Sequence, residues 1–345
     1  MDEIIADKDV LEEDYIPLYI PCRDSQKKEL AFVLSPVENG RRPFDCLCYG
    51  MPGTGKTLLV KYVLQQLNEN TGAFTFYVNC WKNRTLNQVL DEMLKQVQIP
   101  IVEANSSVKI DGLKRKIGRK VCVIALDEID KLDNKELNDI LYLLKGIGKA
   151  GLICISNTRK YLLNLDPRVN SRLSFHSINF PPYSIEELMM ILKHRIIDCK
   201  ALYPNTYSEK VLEKIADLSA GDARIAIQTL RNASLIAERN NRRKITLEDV
   251  KKGYEEVKYI KRKYLLDKLG SHYRLIYEIA KNNPGITSKE FYEKYKQEAR
   301  RQGLNPKSNR MFNNYIHVLM RLDYLQAERV KTKGNVRSFT AICFL

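Results

Sequence analysis

The stretch "CYGMPGTGKTLLV", residues 48–60, constrains this chain more than any other. An apolar run ends at Gly50, four residues follow, and Gly55-Lys56-Thr57 opens a segment with helical apolar spacing. That order demands a strand, a tight loop and a helix. Glycines let the loop curl with its N–H groups inward, and the helix N-terminus adds partial positive charge. The unit therefore suits phosphate. Gly50, Pro52, Gly53, Thr54, Gly55, Lys56, Thr57 and Leu58 are the expected ATP-binding loop. Lys56 can reach the β- and γ-phosphates, and Thr57 can hold Mg2+.

Such a loop belongs in a parallel sheet, and the flanking sequence supplies one. "FDCLCYG", "AFTFYVNC", "KVCVIALDE", "AGLICISN" and "SFHSINF" read as strands, with helical patterns between them. Strand-helix alternation gives an α/β fold with a mostly parallel sheet covered on both faces. After "FPPYS" the strand signals stop, and four amphipathic segments predict a helical block to about residue 258. The expected domains are a nucleotide-binding base at 1–181, a helical lid at 182–260 and a third domain at 261–345. "KYIKRKY" (residues 258–264) would serve as a linker.

"VCVIALDEID" delivers Asp127 and Glu128 to a strand's C-terminal end, the ligand edge of an open α/β sheet. Asp127 suits Mg2+, and Glu128 suits the base that orients or deprotonates an attacking water. Asn157 ends "GLICISN" and would stand beside the acidic pair if the strand order is the usual one, holding that water. Arg224 follows Asp222, an expected N-cap, in the first turn of a lid helix from which it could reach phosphates. Arg168 and Arg172, in "LDPRVNSRL", are four apart and would share one helix face.

Charge is unevenly placed. The formal net charge is +15. Residues 261–345 hold 18 Lys plus Arg against 7 Asp plus Glu, or +11, leaving 15 − 11 = +4 for the rest. A basic last quarter points to a polyanion-binding module. Within it, "SHYRLIYEIAKNN", a segment opened by the capping-box pattern Thr287-x-x-Glu290, and "NPKSNRMFNNYIHVLMRLDYL" read as three helices. The third would begin at the Asn305-Pro306 pair, with Phe312, Ile316, Leu319 and Leu322 as its core face. Arg310, Asn313, Asn314, His317 and Arg321 make a polar, basic opposite face able to meet bases or phosphates. "LQAERV" and "VRSFTAICFL" predict a hairpin with Lys331 and Lys333 at its tip and Arg337 beside it. Helix-helix-helix-hairpin with a basic third helix is a winged-helix pattern for duplex DNA.

No run of about 18 apolar residues exists, so no membrane span is expected. The acidic start "MDEIIADKDVLEED" lacks a signal core, so a cytoplasmic or nucleoid-associated location is expected. Eight scattered cysteines with no CxxC pair read as buried free thiols.

"GMPGTGKT", "ALDEID", "ISN", "DPRVNSRL", "FPPYS" and "GDAR" occur in the order seen in the AAA+ replication initiators. That family includes the origin recognition complex subunits and related cell-division-control proteins, and the compact length resembles its archaeal branch. The resemblance implies an AAA+ parallel-sheet ATPase domain with a helical lid, followed by a C-terminal winged-helix domain. It implies that residues Tyr19 to Arg23 lie against adenine and that Tyr183 and Arg195 contact the nucleotide. Asn157 and Arg224 resemble the first and second sensors. Arg172 resembles the arginine finger that reaches a neighbouring subunit's ATP, and Arg168 a companion. Residues 83–107 resemble an inserted helical segment that touches DNA, with Arg84 and Lys95 its only basic residues. The implied function is initiation at origin duplex DNA. ATP and Mg2+ would be bound, ADP retained as product, hydrolysis slow, and a replicative helicase recruited by self-assembled or related subunits. Two other readings stay open. One is a ring motor like the branch-migration ATPases. The other is a DNA-binding regulator whose ATP is never turned over.

Overall fold

The structure is a computed structural model describing residues 3–100, 104–160, 165–329 and 337–342, with the side chains of 261, 262 and 264 excepted. The chain divides into two compact units, Met1–Val250 and Lys251–Leu345.

In the first unit, α1 (Asp24–Leu34) precedes β1 (Asp45–Tyr49), α2 (Lys56–Asn70) and β2 (Phe74–Asn79). Next come α3 (Leu86–Gln96), α4 (Ser106–Ile117), β3 (Val121–Asp127), α5 (Asn134–Leu144) and β4 (Lys149–Ser156). The short α6 (Pro167–Asn170) and β5 (Phe175–Asn179) complete the base. The sheet order is β2-β3-β4-β1-β5, all parallel. All seven residues of β3 are buried. A strand covered on both faces needs such an unbroken apolar run. One core packs α3, α4 and α5 on one face, and a second packs α1 and α2 on the other.

The lid is α7 (Ile185–Ile197), α8 (Glu209–Ser219), α9 (Ala223–Arg239) and the start of α10 (Leu247–Leu269). Ser184 and Glu187 form a capping box at the start of α7. The expected base–lid boundary falls in the connection between β5 and α7. The N-terminal residues do not stay with the base, however. Ile4, Ile5, Val10 and Leu11 are buried in the lid core, and Glu238 Oε1 accepts from the Ile4 and Ile5 N–H groups.

The second unit holds α11 (Ser271–Asn282), β6 (Ile286–Thr287), α12 (Ser288–Arg301), α13 (Asn309–Arg321), β7 (Leu325–Arg329) and β8 (Arg337–Ala341). β6, β8 and β7 form a small antiparallel sheet over a core built from Phe291, Tyr295, Phe312, Ile316 and Leu319. Three helices and a hairpin in this order make a winged helix.

Four expectations are corrected. Residues 258–264 are no linker, since α10 runs through them; no Gly or Pro interrupts 254–269, and Lys258 pairs with Glu255. α13 starts at Asn309, because Ser308 Oγ caps it by accepting from Met311 N; the Asn305-Pro306 pair lies in the preceding loop. Leu322 ends that helix at 42% exposure, outside the core face. α6 is four residues long and stops at Asn170, so Arg172 does not share a helix face with Arg168. Lys331 and Lys333 lie outside the described residues. The seven described cysteines are free, five of them buried. Among the described residues no helix is long and apolar enough to cross a membrane.

Candidate active site

The sheet's C-terminal edge gathers the site. Register places Tyr49 opposite Ser156 and Leu126 opposite Cys154, so the loop after β1, the end of β3 and Asn157 after β4 converge. The loop must stay small where the lid meets it. Gly53 has φ +75°, and an added Cβ would sit 1.8 Å from Asp222 Oδ1. Gly53 O also accepts from Ala223 N at 3.1 Å, which joins loop to lid directly. Gly55 caps α2 at φ +86°, where a Cβ would meet the Tyr183 hydroxyl at 2.5 Å. Both positions need left-handed backbone and no side chain. Buried Thr54 closes the loop by donating to Met51 O at 2.8 Å, and Pro52 is exposed on it.

Lys56 is buried, and its Nζ donates to Gly50 O at 2.6 Å and Met51 O at 2.7 Å, with Asn157 Oδ1 at 3.4 Å. Burial, then the positive Arg224, lowers its pKa to about 8. A phosphate would restore the charged form. Raising pH from 7 to 9.5 removes that charge from the empty protein, because the folded pKa is depressed below the ordinary lysine value. Nucleotide affinity should therefore fall progressively above about pH 8, read by titration with a fluorescent nucleotide.

Asp127, also buried, accepts from Thr57 Oγ1 and the Tyr77 hydroxyl through Oδ2, each at 2.7 Å, and from Glu128 N through Oδ1 at 2.8 Å. A hydroxyl and a carboxylate this close make a hard-oxygen pair that fits Mg2+. Glu128 has φ +56°, an uncommon backbone for a non-glycine residue, which turns its side chain off the strand. Burial, then the charges of Asp127 and Asp130, raises its carboxyl pKa. That direction suits a proton acceptor better than an ordinary surface carboxylate does. Asn157 is fixed by Asp130, which accepts from its backbone N at 3.3 Å and faces its Nδ2 at 3.5 Å.

A cavity of about 260 Å³ runs along this edge between base and lid. Ile16, Pro17, Ile20, Ile191 and Ile227 make one part of its wall apolar. Lys56, Thr57, Asp127, Glu128 and Arg224 line its polar part, and Leu58, Tyr183 and Arg195 also contribute. Asp222 caps α9, accepting from Arg224 N and Ile225 N, so Arg224 projects from the first turn. Gly50, Asn157 and Pro52 are outside the lining residues.

Two lining residues have partners that the sequence did not suggest. Arg195 Nη1 donates to Val10 O at 2.7 Å and Nη2 to Tyr15 O at 3.3 Å, so its guanidinium ties the lid to the N-terminal segment. Tyr183 lies under the Arg23 guanidinium, 3.6 Å from its ring centre, and burial raises its phenol pKa to about 12. Arg23, 2% exposed, donates to Thr54 O at 2.9 Å and Pro181 O at 2.7 Å, which bolts the phosphate loop to the lid entry. Sequence reasoning also missed Tyr77 and the holding role of Asp130. Only the "DEID" run hinted at the second.

Arg168 and Arg172 are exposed and lie outside the cavity lining. Arg172 stacks on Tyr142, 4.1 Å from its ring centre. In the second unit Arg310, Asn313, Asn314, His317, Arg321 and Arg337 are all exposed. Asn313 Nδ2 is engaged with Asn309 O at 3.0 Å.

Comparison with known proteins agrees with this architecture. A model of the AAA domain matches residues 46–156, and a model of the Cdc6 AAA+ ATPase-type lid domain matches residues 189–255. The chain is similar to an ORC1-type DNA replication protein 1 of Sulfurisphaera tokodaii, 32% identical over 96% of this chain and 88% of that one. An ORC1-type DNA replication protein of Pyrococcus abyssi is 33% identical over 96% and 85%. Among solved structures, the Aeropyrum pernix ORC1 protein in complex with DNA matches with a TM-score of 0.80 and 29% identity, over 98% of this chain and 94% of that one. With a strand-loop-helix phosphate site, an acidic strand end and a lid arginine on one cavity, the chain belongs to the ORC1-type DNA replication proteins, AAA+ initiators of the Orc1/Cdc6 family.

Proposed function

We propose that the chain is an ATP-dependent replication initiator that binds origin duplex DNA through its winged helix and uses slow hydrolysis as a switch. The observation that carries this reading is the convergence of Lys56, Thr57, Asp127, Glu128 and Arg224 on one cavity. ATP would place its base toward the apolar wall and its phosphates at the loop. Mg2+, held by Thr57 and Asp127, would neutralise charge on the β- and γ-oxygens. Glu128 would take the proton of the attacking water, with Asn157 holding that water and Arg224 stabilising the γ-phosphate. ADP would be the retained product.

Arg172 is exposed and outside its own cavity, which supports a role on a neighbour's ATP. A monomer would then bind ATP and hydrolyse it poorly, and assembly on DNA would complete the site. Arg172→Ala should lower turnover about 10³-fold or more at high protein concentration on origin DNA, as loss of an arginine finger does, and leave nucleotide affinity unchanged. Unchanged turnover would leave Arg172 a surface charge on Tyr142.

Arg310, Asn314, His317 and Arg321 form the exposed face of α13, and their chemistry supports entry into a major groove. Arg310→Ala should weaken duplex binding by about 1–3 kcal/mol if it meets a base edge. It should instead flatten the salt dependence by about one unit if it meets a phosphate. Titration of labelled duplex across a salt series separates the two. Recruitment of a replicative helicase, self-assembly with like or related subunits and a nucleoid-associated location complete the reading.

A further inference from the structure

β2 is an outer strand of the parallel sheet, so among the described residues no strand pairs with the backbone groups on its open side. At Tyr77 a side chain fills that place. Gln96, the last residue of α3, accepts from Tyr77 N through Oε1 at 3.1 Å and donates from Nε2 to Tyr77 O at 2.8 Å. One amide imitates one residue of a neighbouring strand and fixes Tyr77 in place. The same tyrosine donates its hydroxyl to Asp127 Oδ2 at 2.7 Å, the oxygen that also accepts from Thr57 Oγ1. Lys61 lies over the ring, 4.6 Å from its centre, and limits its swing. Asp127 is thus held by three donors, and Tyr77 is the one drawn from neither the phosphate loop nor the acidic run.

We propose that Tyr77 is a positioning residue for Asp127, and that Gln96 makes its position depend on α3. This rests on the reading of Asp127 as a Mg2+ ligand. A carboxylate that binds a metal through one lone pair needs its remaining lone pairs held by donors, or it rotates away from the ligating geometry. Tyr77 supplies such a donor. Both Gln96 bonds are near ideal length, so a shift of α3 by about 1 Å would break them. The ring would then be released, and with it the hydroxyl on Asp127. α3 is anchored at its other end too, because Glu136 Oε2 on α5 accepts from Leu86 N at 2.8 Å. Movement of this helix, from whatever binds its exposed side, would therefore be felt at the metal site.

The test is a Mg2+ titration of the full chain with a fluorescent ATP analogue, begun in chelator. Tyr77→Phe keeps the ring and deletes only the hydroxyl. It should leave metal-free affinity unchanged, lower the melting temperature by only a few degrees, as loss of one buried hydrogen bond does, and raise half-saturating Mg2+ about tenfold or more, the cost of losing a partner of a metal ligand. Gln96→Ala, which touches no metal-site atom, should shift the same midpoint in the same direction by a smaller factor than Tyr77→Phe. Saturating Mg2+ should restore binding in both. An unshifted midpoint in Tyr77→Phe overturns the positioning role, and an unshifted Gln96→Ala overturns the clamp. Loss of metal-free binding together with a lower melting temperature would make Tyr77 merely structural and overturn the proposal. Asp127→Asn separates the levels: if that variant keeps the parent's Mg2+ dependence, the metal assignment itself fails.

Discussion

Lys56→Ala is expected to lose nucleotide binding by about 100-fold or more, because it removes a buried cation whose charge-assisted bonds to phosphate each contribute about 1.5–3 kcal/mol. Its Nζ bridges Gly50 O and Met51 O, so the ammonium already stands inside the loop where phosphate oxygens would displace those carbonyls. Deleting it leaves two carbonyls aimed at an incoming anion, which adds repulsion to the lost attraction. Equilibrium titration with a fluorescent ATP analogue reads the effect. A melting curve checks that the core behind α2, with Leu59 and Val60 wholly buried, is intact. Binding within about threefold of the parent would sink the phosphate-loop assignment, since a single surface charge alters affinity by roughly that much.

Glu128→Gln separates binding from turnover. The side chain keeps its size, and its backbone N–H still donates to Asp127 Oδ1. Affinity for ATP should therefore change little, and with one less negative charge beside Asp127 and Asp130 it should rise if anything. Hydrolysis should drop about 10²–10⁴-fold, the range for removal of a general base. Single-turnover release of phosphate measures it. The variant should also accumulate in the ATP state, visible as a higher ATP-to-ADP ratio in protein recovered from cells. Equal turnover in variant and parent would mean that nucleotide is structural in this chain or that another group activates the water.

The sheet was legible because parallel strands buried on both faces must be near-continuous apolar runs, and "VCVIALD" and "GLICIS" are such runs. The phosphate loop was legible because its glycines answer to backbone demands local to the loop. Tyr77 was invisible for the opposite reason. A tyrosine in a strand is ordinary, and only the folded register, which sets Tyr77 opposite Ala125 two places before Asp127, brings its hydroxyl to that carboxylate. Arg23 belongs to the segment expected against adenine, and its guanidinium also bonds carbonyls 31 and 158 positions away, which no spacing reveals. The linker error has the same source. Charge runs such as "KYIKRKY" occur in loops and in exposed helices alike, and the helix prevails where no breaker intervenes. The sequence expectation puts the N-terminal segment in the base, but Ile4, Ile5, Val10 and Leu11 are buried in the lid core.

We propose that this ATP site serves a DNA-binding initiator. Genome-wide footprinting of the protein on its own chromosome tests it most directly. Occupancy is expected at a few discrete loci, an origin or the protein's own promoter among them, lost or weakened by Arg310→Ala. Uniform coverage of the chromosome, or discrete occupancy indifferent to changes on the exposed face of α13, would contradict it.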